Sequence, residues 1–359
     1  MQDLGAKLAQ LFVVSLSAPV LTGAERTILT DASFGGFILF EHNCSDTDQI
    51  TRLCGSLWSH AHGAPPFIAI DHEGGRVHRL PQPFTHFPTA AQIGETCDPA
   101  IVYRIGRASA TELRLAGINL NFAPVLDVNS NPKNPVIGDR SFGSDPRKVT
   151  ELGAAWIRGT RDAGIIPCGK HFAGHGDTAR DSHLELPRVE RDIESLRQIE
   201  LPPFAHACRS GIESLMTAHV VYSAFDDEFP ATLSRRIITG LLREELRYDG
   251  VVFSDALEMK AISDNFGEEE AAALALQAGV DVLLYGHPLE RVVPVYEFLC
   301  RRAENDAALR NRIEQSHARV TALKRRYLER FTGEPGDAVD RTLAKLDHGS
   351  IVREIQASL

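Results

Sequence analysis

The chain has 359 residues, more than the ~100–200 of an average domain, but α/β barrels reach ~250 residues and more as one unit, so a single large domain with insertions fits the length. Hydrophobic residues make up 43% and charged residues 24%, with Gly and Pro scattered, which implies a large core and excludes a long disordered tract. The net charge of −10 excludes a nucleic-acid surface, because phosphate contacts need clustered Lys and Arg, and the basic stretch from Arg301 to Arg330 is interleaved with acids, as on a solvated helix face.

The six cysteines (Cys44, Cys54, Cys97, Cys168, Cys208, Cys300) show no C-x-x-C spacing, so reduced and mostly buried thiols are expected rather than a zinc site or a disulfide framework. Residues Leu8 to Leu21 follow Lys7 and imitate a secretory signal. Gln10, Ser15 and Ser17 break the run, and it reads as a helix end followed by a first strand. No stretch reaches the ~20 apolar residues of a membrane span. A cytoplasmic enzyme without a membrane partner is the expectation.

In chain order, eight short apolar runs bounded by polar or turn residues read as buried parallel strands: Leu11–Leu16, Gly36–Phe40, Phe67–Asp71, Ile118–Ala123, Pro167–Phe172, Ser214–His219, Val251–Asp255 and Val280–Tyr285. Helical patterns lie between them: Asp46–His60, Pro99–Ala116, Pro146–Ala163, Ile193–Ser210, Ser234–Leu246 and Glu268–Ala278. Eight strand–helix repeats predict an α/β fold, a single (β/α)8 TIM-type barrel. The alternative, a doubly wound open sheet, would carry a glycine fingerprint after its first strand, where this chain has Ser17-Ala18-Pro19. Helices Leu289–Arg302 and Ala307–Phe331 close a catalytic unit spanning 1–331, and 332–359 reads as an appended tail without a domain of its own.

Polar residues gather at the predicted strand ends: Asp71, Asp127, Lys170 with His171, His219 and Asp255. In a barrel these ends share the face that carries the active site. Two junctions there, Asp71 to Asp98 and His171 to Asp192, are long enough to be functional loops.

The densest motif runs from Gly169 to His183, with three histidines, three glycines and two aspartates in fifteen residues. Glycine at this density predicts a movable loop. Asp181 and His183 stand two apart, so the carboxylate can orient the imidazole and raise its proton affinity, a proton-transfer pair. The rival readings are solvent-exposed histidines and a metal site built from His171, His175, Asp181 and His183. No H-x-H or H-E-x-x-H spacing supports the metal. In Val251–Met259, Asp255 ends a buried strand and is placed to attack or stabilise an electron-poor carbon. Its structural alternative is the N-cap of a helix Ala256–Ile262. In Ile70–Leu80, Asp71 precedes a glycine turn and two arginines. It can accept from sugar hydroxyls while Arg79 binds an oxygen-rich ligand, or the segment is a plain turn with an internal ion pair.

Taken together, the three segments resemble the bacterial β-N-acetylglucosaminidases of glycoside hydrolase family 3, whose patterns D-x-E-G-G-R-V-x-R, K-H-F-x-G-H-G-x-x-x-x-D-S-H and S/T-D-x-L-x-M occur here in order, over Leu8 to roughly His287. The resemblance implies Asp255 as nucleophile, His183 as acid/base with Asp181 completing the dyad, and Asp71, Arg79, Lys170, His171 and Arg140 as substrate-binding residues. No cofactor is implied. Ala173 stands where the family has a proline, and His72 where it has a glutamine. The implied substrate is a terminal, non-reducing β-linked N-acetylglucosamine on a muropeptide or other oligosaccharide, released with retention during cell-wall recycling. Phosphorolysis, β-glucosidase activity on the same fold, a silent sugar-binding barrel and a metal-dependent hydrolase remain as alternatives. A neutral histidine tolerates an incoming phosphate that a carboxylate would repel.

Overall fold

The computed structural model describes residues 2–182, 184–329, 331 and 336–358. Its barrel strands are β1 Phe12–Ser15, β2 Gly36–Leu39, β3 Phe67–Ile70, β4 Leu120–Asn121, β5 Ile166–Phe172, β6 Ser214–Thr217, β7 Val251–Phe253 and β8 Leu283–Pro288. From β1 to β7 each strand pairs in parallel with the next, β8 pairs with β1, and a single parallel bridge from Phe253 to Val282, the residue before β8, joins β7 to β8. The ring is closed: a (β/α)8 barrel, and every expected strand overlaps an observed one. The runs are mostly apolar because helices cover one face and the barrel interior the other.

Phe253 meets Phe67 edge-on at 5.8 Å and Phe122 at 5.4 Å. As β3 and β7 stand on opposite sides of the ring, the interior is filled by side chains. Lys324, from the helix Ala307–Leu328, lies 4.8 Å from the centre of the Phe67 ring and donates to Gln10 Oε1 and Gly35 O, both at 2.7 Å. Gln10 and Gly35 precede β1 and β2, so this helix plugs the end opposite the strand C-termini.

Local sequence sets the helix starts. Asp46, Asp98, Asp145 and Asp192 accept from backbone N–H groups at the beginnings of Thr47–His60, Pro99–Leu115, Pro146–Asp162 and Ile193–Gln198. Pro99 and Pro146 fit the first helical position because that N–H has no intrahelical partner. The single helix expected over Ile193–Ser210 is two, Ile193–Gln198 and Leu201–Arg209. Pro202 and Pro203 cannot donate to the preceding turn, so a continuous helix would lose two bonds there. The segment read as a tail forms helices Gly336–Leu346 and Gly349–Ser358. The first lies on Thr47–His60, where Thr47 Oγ1 donates to Asp340 at 2.8 Å. The second lies on Pro99–Leu115, held by Arg104–Glu354 at 2.8 Å and by His348–Glu112 at 2.8 Å. Among the described residues no helix is long and apolar enough to cross a membrane.

Candidate active site

At the C-terminal ends of the strands lies a cavity of about 520 Å³. Asp71, Arg79, Arg140, Lys170, His171 and Asp255 line it together, joined by Glu73, His175, Ser182 and Glu258. Asp181 is partly buried on the loop after β5 and is not among the lining residues. His183 lies outside the described residues.

Asp71 follows β3 directly, and the chain then reverses through Gly74 and Gly75 (φ +95° and +53°). A Cβ on Gly74 would stand 2.5 Å from Pro88 O, so only glycine fits this turn. The turn presents Glu73 to two cations. Arg140 holds it bidentately, Nε to Oε2 and Nη2 to Oε1 at 2.8 Å each, and Lys170 Nζ lies 2.6 Å from Glu73 Oε1 and 2.6 Å from Asp71 Oδ1. Burial disfavours the Glu73 carboxylate, but Arg140 and Lys170 outweigh it and hold the group well below the usual carboxylate range. Burial likewise opposes the Lys170 charge, and Asp71 with Glu73 overcomes it and raises the lysine further. The result is an alternating ladder of acids and bases, Asp71–Lys170–Glu73–Arg140. The motif's two arginines diverge: Arg76 is exposed and pairs with Asp139 at 2.9 Å, whereas the buried Arg79 Nε has no hydrogen-bond partner among the described residues.

The strand end Lys170–His171 is backed by Asp127. His171 Nδ1 lies 2.6 Å from Asp127 Oδ2, which fixes the proton on Nδ1 and leaves Nε2 toward the cavity, 3.5 Å from Arg140 Nη2. Burial opposes the Asp127 charge, but His171 and His175 beside it hold the carboxyl below its usual range. The Lys170–His171 and Phe172–Ala173 peptides are cis.

The loop that follows is less free than its glycines suggest. From His171 to Gly176 every residue is buried. Asn134 Nδ2 donates to the carbonyls of His175 (2.8 Å) and Gly176 (3.0 Å), and a Cβ on Gly176 would sit 1.6 Å from Val128 O. Glycine is needed here for close backbone approach rather than for motion, and exposure begins only at Ala179. His175 has both ring nitrogens occupied, by Thr178 Oγ1 at 2.8 Å and Ser182 Oγ at 3.0 Å, and burial pushes its pKa down to about 4. Among the described residues no group of three or more His, Cys, Asp or Glu is placed to hold a metal ion.

Asp255 does not cap the next helix, which starts at Lys260 with Met259 at its N-cap. The backbone between is committed to neighbouring strands: Ser254 N–H donates to Val282 O (2.9 Å), Leu257 N–H to Leu284 O (3.0 Å), and Ala256 O accepts from His219 Nε2 (2.9 Å). These bonds present Asp255 at the ring's rim. Glu73 and Glu258 are not singled out by the sequence, and His175 figures there only in the rival metal reading. Glu73 sits inside the E-G-G-R motif, but nothing local marks it as the partner of cations far along the chain.

A profile described as the glycosyl hydrolase family 3 N terminal domain matches residues 3–323. A β-hexosaminidase A from Pseudoalteromonas piscicida is 39% identical over 323 residues, covering 83% of this chain but only 54% of its own length. A β-hexosaminidase from Alkalilimnicola ehrlichii is 39% identical over 328 residues, 89% of this chain and 92% of its own. Among solved structures, a glycoside hydrolase family 3 β-N-acetylglucosaminidase from a Paenibacillus species superposes with a TM-score of 0.87 at 39% identity, over 94% of this chain and 63% of the other. NagZ from Neisseria gonorrhoeae, in complex with N-trifluoroacetyl-D-glucosamine, superposes with a TM-score of 0.72 at 32% identity, over 94% and 97%. This chain thus spans about half the length of the Pseudoalteromonas relative and nearly all of the Neisseria one.

Proposed function

The chain belongs to glycosyl hydrolase family 3, and from that premise we propose that it is a retaining β-N-acetylglucosaminidase working by double displacement. Asp255 forms a bond to the anomeric carbon as the bond from that carbon to the leaving oxygen breaks, and protonated His183 gives its proton to that oxygen. In the second step neutral His183 takes a proton from water, water attacks the same carbon, and Asp255 leaves as a carboxylate. Asp181 orients His183 and favours its cationic form. Asp71, Arg79, Arg140, Lys170 and His171 hold the sugar hydroxyls, for which a ladder of fixed charges gives stronger hydrogen bonds than neutral groups.

The observation that carries this reading is the approach of the loop after β5 to the segment after Asp255. Ser182, one residue before His183, lines the cavity that holds Asp255, and its carbonyl accepts from Ala261 N–H at 3.4 Å. The substrate class is a glycan ending in non-reducing N-acetylglucosamine, a muropeptide of cell-wall recycling by this reading. A cytoplasmic site of action suits the unpaired thiols of Cys44, Cys54, Cys168 and Cys208, all buried.

Hydrolysis of an aryl β-N-acetylglucosaminide with and without inorganic phosphate tests the proposal. Asp255→Ala is expected to lose at least ~10³ in kcat with an unchanged melting temperature. Undiminished turnover in that variant overturns the mechanism, and a glycosyl phosphate product replaces hydrolysis with phosphorolysis.

A further inference from the structure

Three positions after Asp255, Glu258 stands in the same cavity wall. Its Oε1 accepts from Gly286 N–H at 2.7 Å, while its Oε2 is buried with no hydrogen-bond partner among the described residues. A buried carboxyl oxygen left without a partner calls for one from outside the chain. A Cβ at residue 286 would stand 2.5 Å from Glu258 Oε1 and 3.4 Å from Phe40 Cζ, so a side chain there would push the carboxyl out of its place.

The cavity therefore has two unlike walls. The ends of β3 and β5 carry the charged ladder, whereas the β7 and β8 ends offer Met259 and Leu284, with Phe40 beside them, and one carboxyl, Glu258. On a pyranoside, the substituent of C2 lies next to the carbon that Asp255 attacks, so its receptor belongs to the wall that carries Asp255. An acetamido group presents a carbonyl acceptor, an N–H donor and a methyl, and a lone carboxyl among apolar side chains can meet the carbonyl while they cover the methyl.

We propose that Glu258 is the specificity-determining residue that recognises the C2 acetamido group, through its unpartnered Oε2, with Met259 and Leu284 against the methyl. This rests on the N-acetylglucosaminidase reading above and deepens it. Burial, with the charges of Asp255 and Glu268, raises the Glu258 carboxyl to about 7. Arg79 and Lys170 face the same cavity, and Glu41 and His42 line a shallow groove that continues past Gly286. At or below neutral pH Glu258 donates its O–H to the acetamido carbonyl. Once ionised, it repels that carbonyl.

The test compares kcat/KM for 4-nitrophenyl β-N-acetylglucosaminide and β-glucoside, from pH ~5 to ~9, in the wild type, Glu258→Ala, Glu258→Gln and Gly286→Ala. Glu258→Ala is expected to lower the N-acetyl substrate at least ~tenfold and leave the glucoside within ~threefold, and Gly286→Ala to follow it by displacing the carboxyl. Glu258→Gln, a permanent donor of the same shape, is expected to keep the preference and hold it above pH ~7, where the wild type loses it. An unchanged preference in Glu258→Ala, an equal fall on both substrates, or a Glu258→Gln profile that declines as the wild type's does overturns the inference. A wild type without any preference for the acetamido substrate overturns the underlying reading with it, whereas a wild-type preference that survives in Glu258→Ala overturns this inference alone.

Discussion

Glu73 and Glu200 are both buried glutamates near the strand-end cavity, and their surroundings drive them apart. Glu73 lies between Arg140 and Lys170 and stays ionised. Among the described residues, Glu200 accepts a hydrogen bond from the Ser130 hydroxyl, at 2.6 Å on Oε1, while Oε2 is buried without a partner, and burial raises its carboxyl to about 7. In the unfolded chain the same group titrates near ~4.3. The folded state therefore binds more protons between those two values, so stability declines as pH rises through that window and levels off above it. Glu200→Gln removes the slope. Its stability relative to the wild type is expected to rise by on the order of 2–3 kcal/mol from pH ~4.5 to ~8, measured by urea unfolding across that range; a pH-independent difference would contradict the assignment. At this scale the sequence was informative about which residues stand at strand ends, Asp71, Lys170, His171 and Asp255 among them. It was silent about Glu73 and Glu258, whose significance depends on what faces them.

At the scale of elements, the segment after β5 and the segment after β7 both depart from their local patterns for one reason, that backbone groups are already committed elsewhere. The glycine density of Gly169–His183 predicts a movable loop, yet Gly176 lies against the Val128 carbonyl and Asn134 ties the adjacent carbonyls. Residues Ala256–Ile262 read as a helix led by Asp255, yet Leu257 N–H and Ala256 O bond to the neighbouring β8 and to His219, so the helix waits until Lys260. Gly176→Ala is the direct check on the first. It must move Val128 or the loop, and the expected cost is on the order of 2–3 kcal/mol with a fall in kcat from displacement of His175 and the residues after it. Wild-type stability and turnover would mean that the loop accommodates a methyl group and is as loose as its composition suggests.

For the whole molecule, ring closure organises everything else, since it brings the ends of β3, β5 and β7 to one rim and lets the Ala307–Leu328 helix plug the other. The two C-terminal helices strap onto this outer layer at the Thr47–His60 and Pro99–Leu115 helices. Val339 and Leu343, then Ile351 and Ile355, recur four residues apart and are buried, a helical signal present in the sequence of the segment 332–359 that otherwise reads as a tail. Ile355→Asp places a carboxylate in a fully buried apolar site and is expected to release the last helix rather than unfold the barrel. Its melting temperature should fall by roughly 2–6 °C, with proteolysis opening near the 346–349 junction and turnover at room temperature within ~twofold. Complete loss of folded protein would show that the strap is integral to the barrel.

The sequence by itself determined the number and order of the strands, most helix starts, and the residue types at the strand-end rim, because apolar periodicity, Asp caps and Asp-Pro starts act over a few residues. It also carried the family motifs. Only the tertiary structure decided that Glu73 joins Arg140 to Lys170, that glycines at 176 and 286 admit a carbonyl and a carboxyl, and that Glu258 keeps an oxygen without a partner. Those outcomes depend on groups from strands distant in the chain, whose approach is set by register and closure of the ring and by no local pattern.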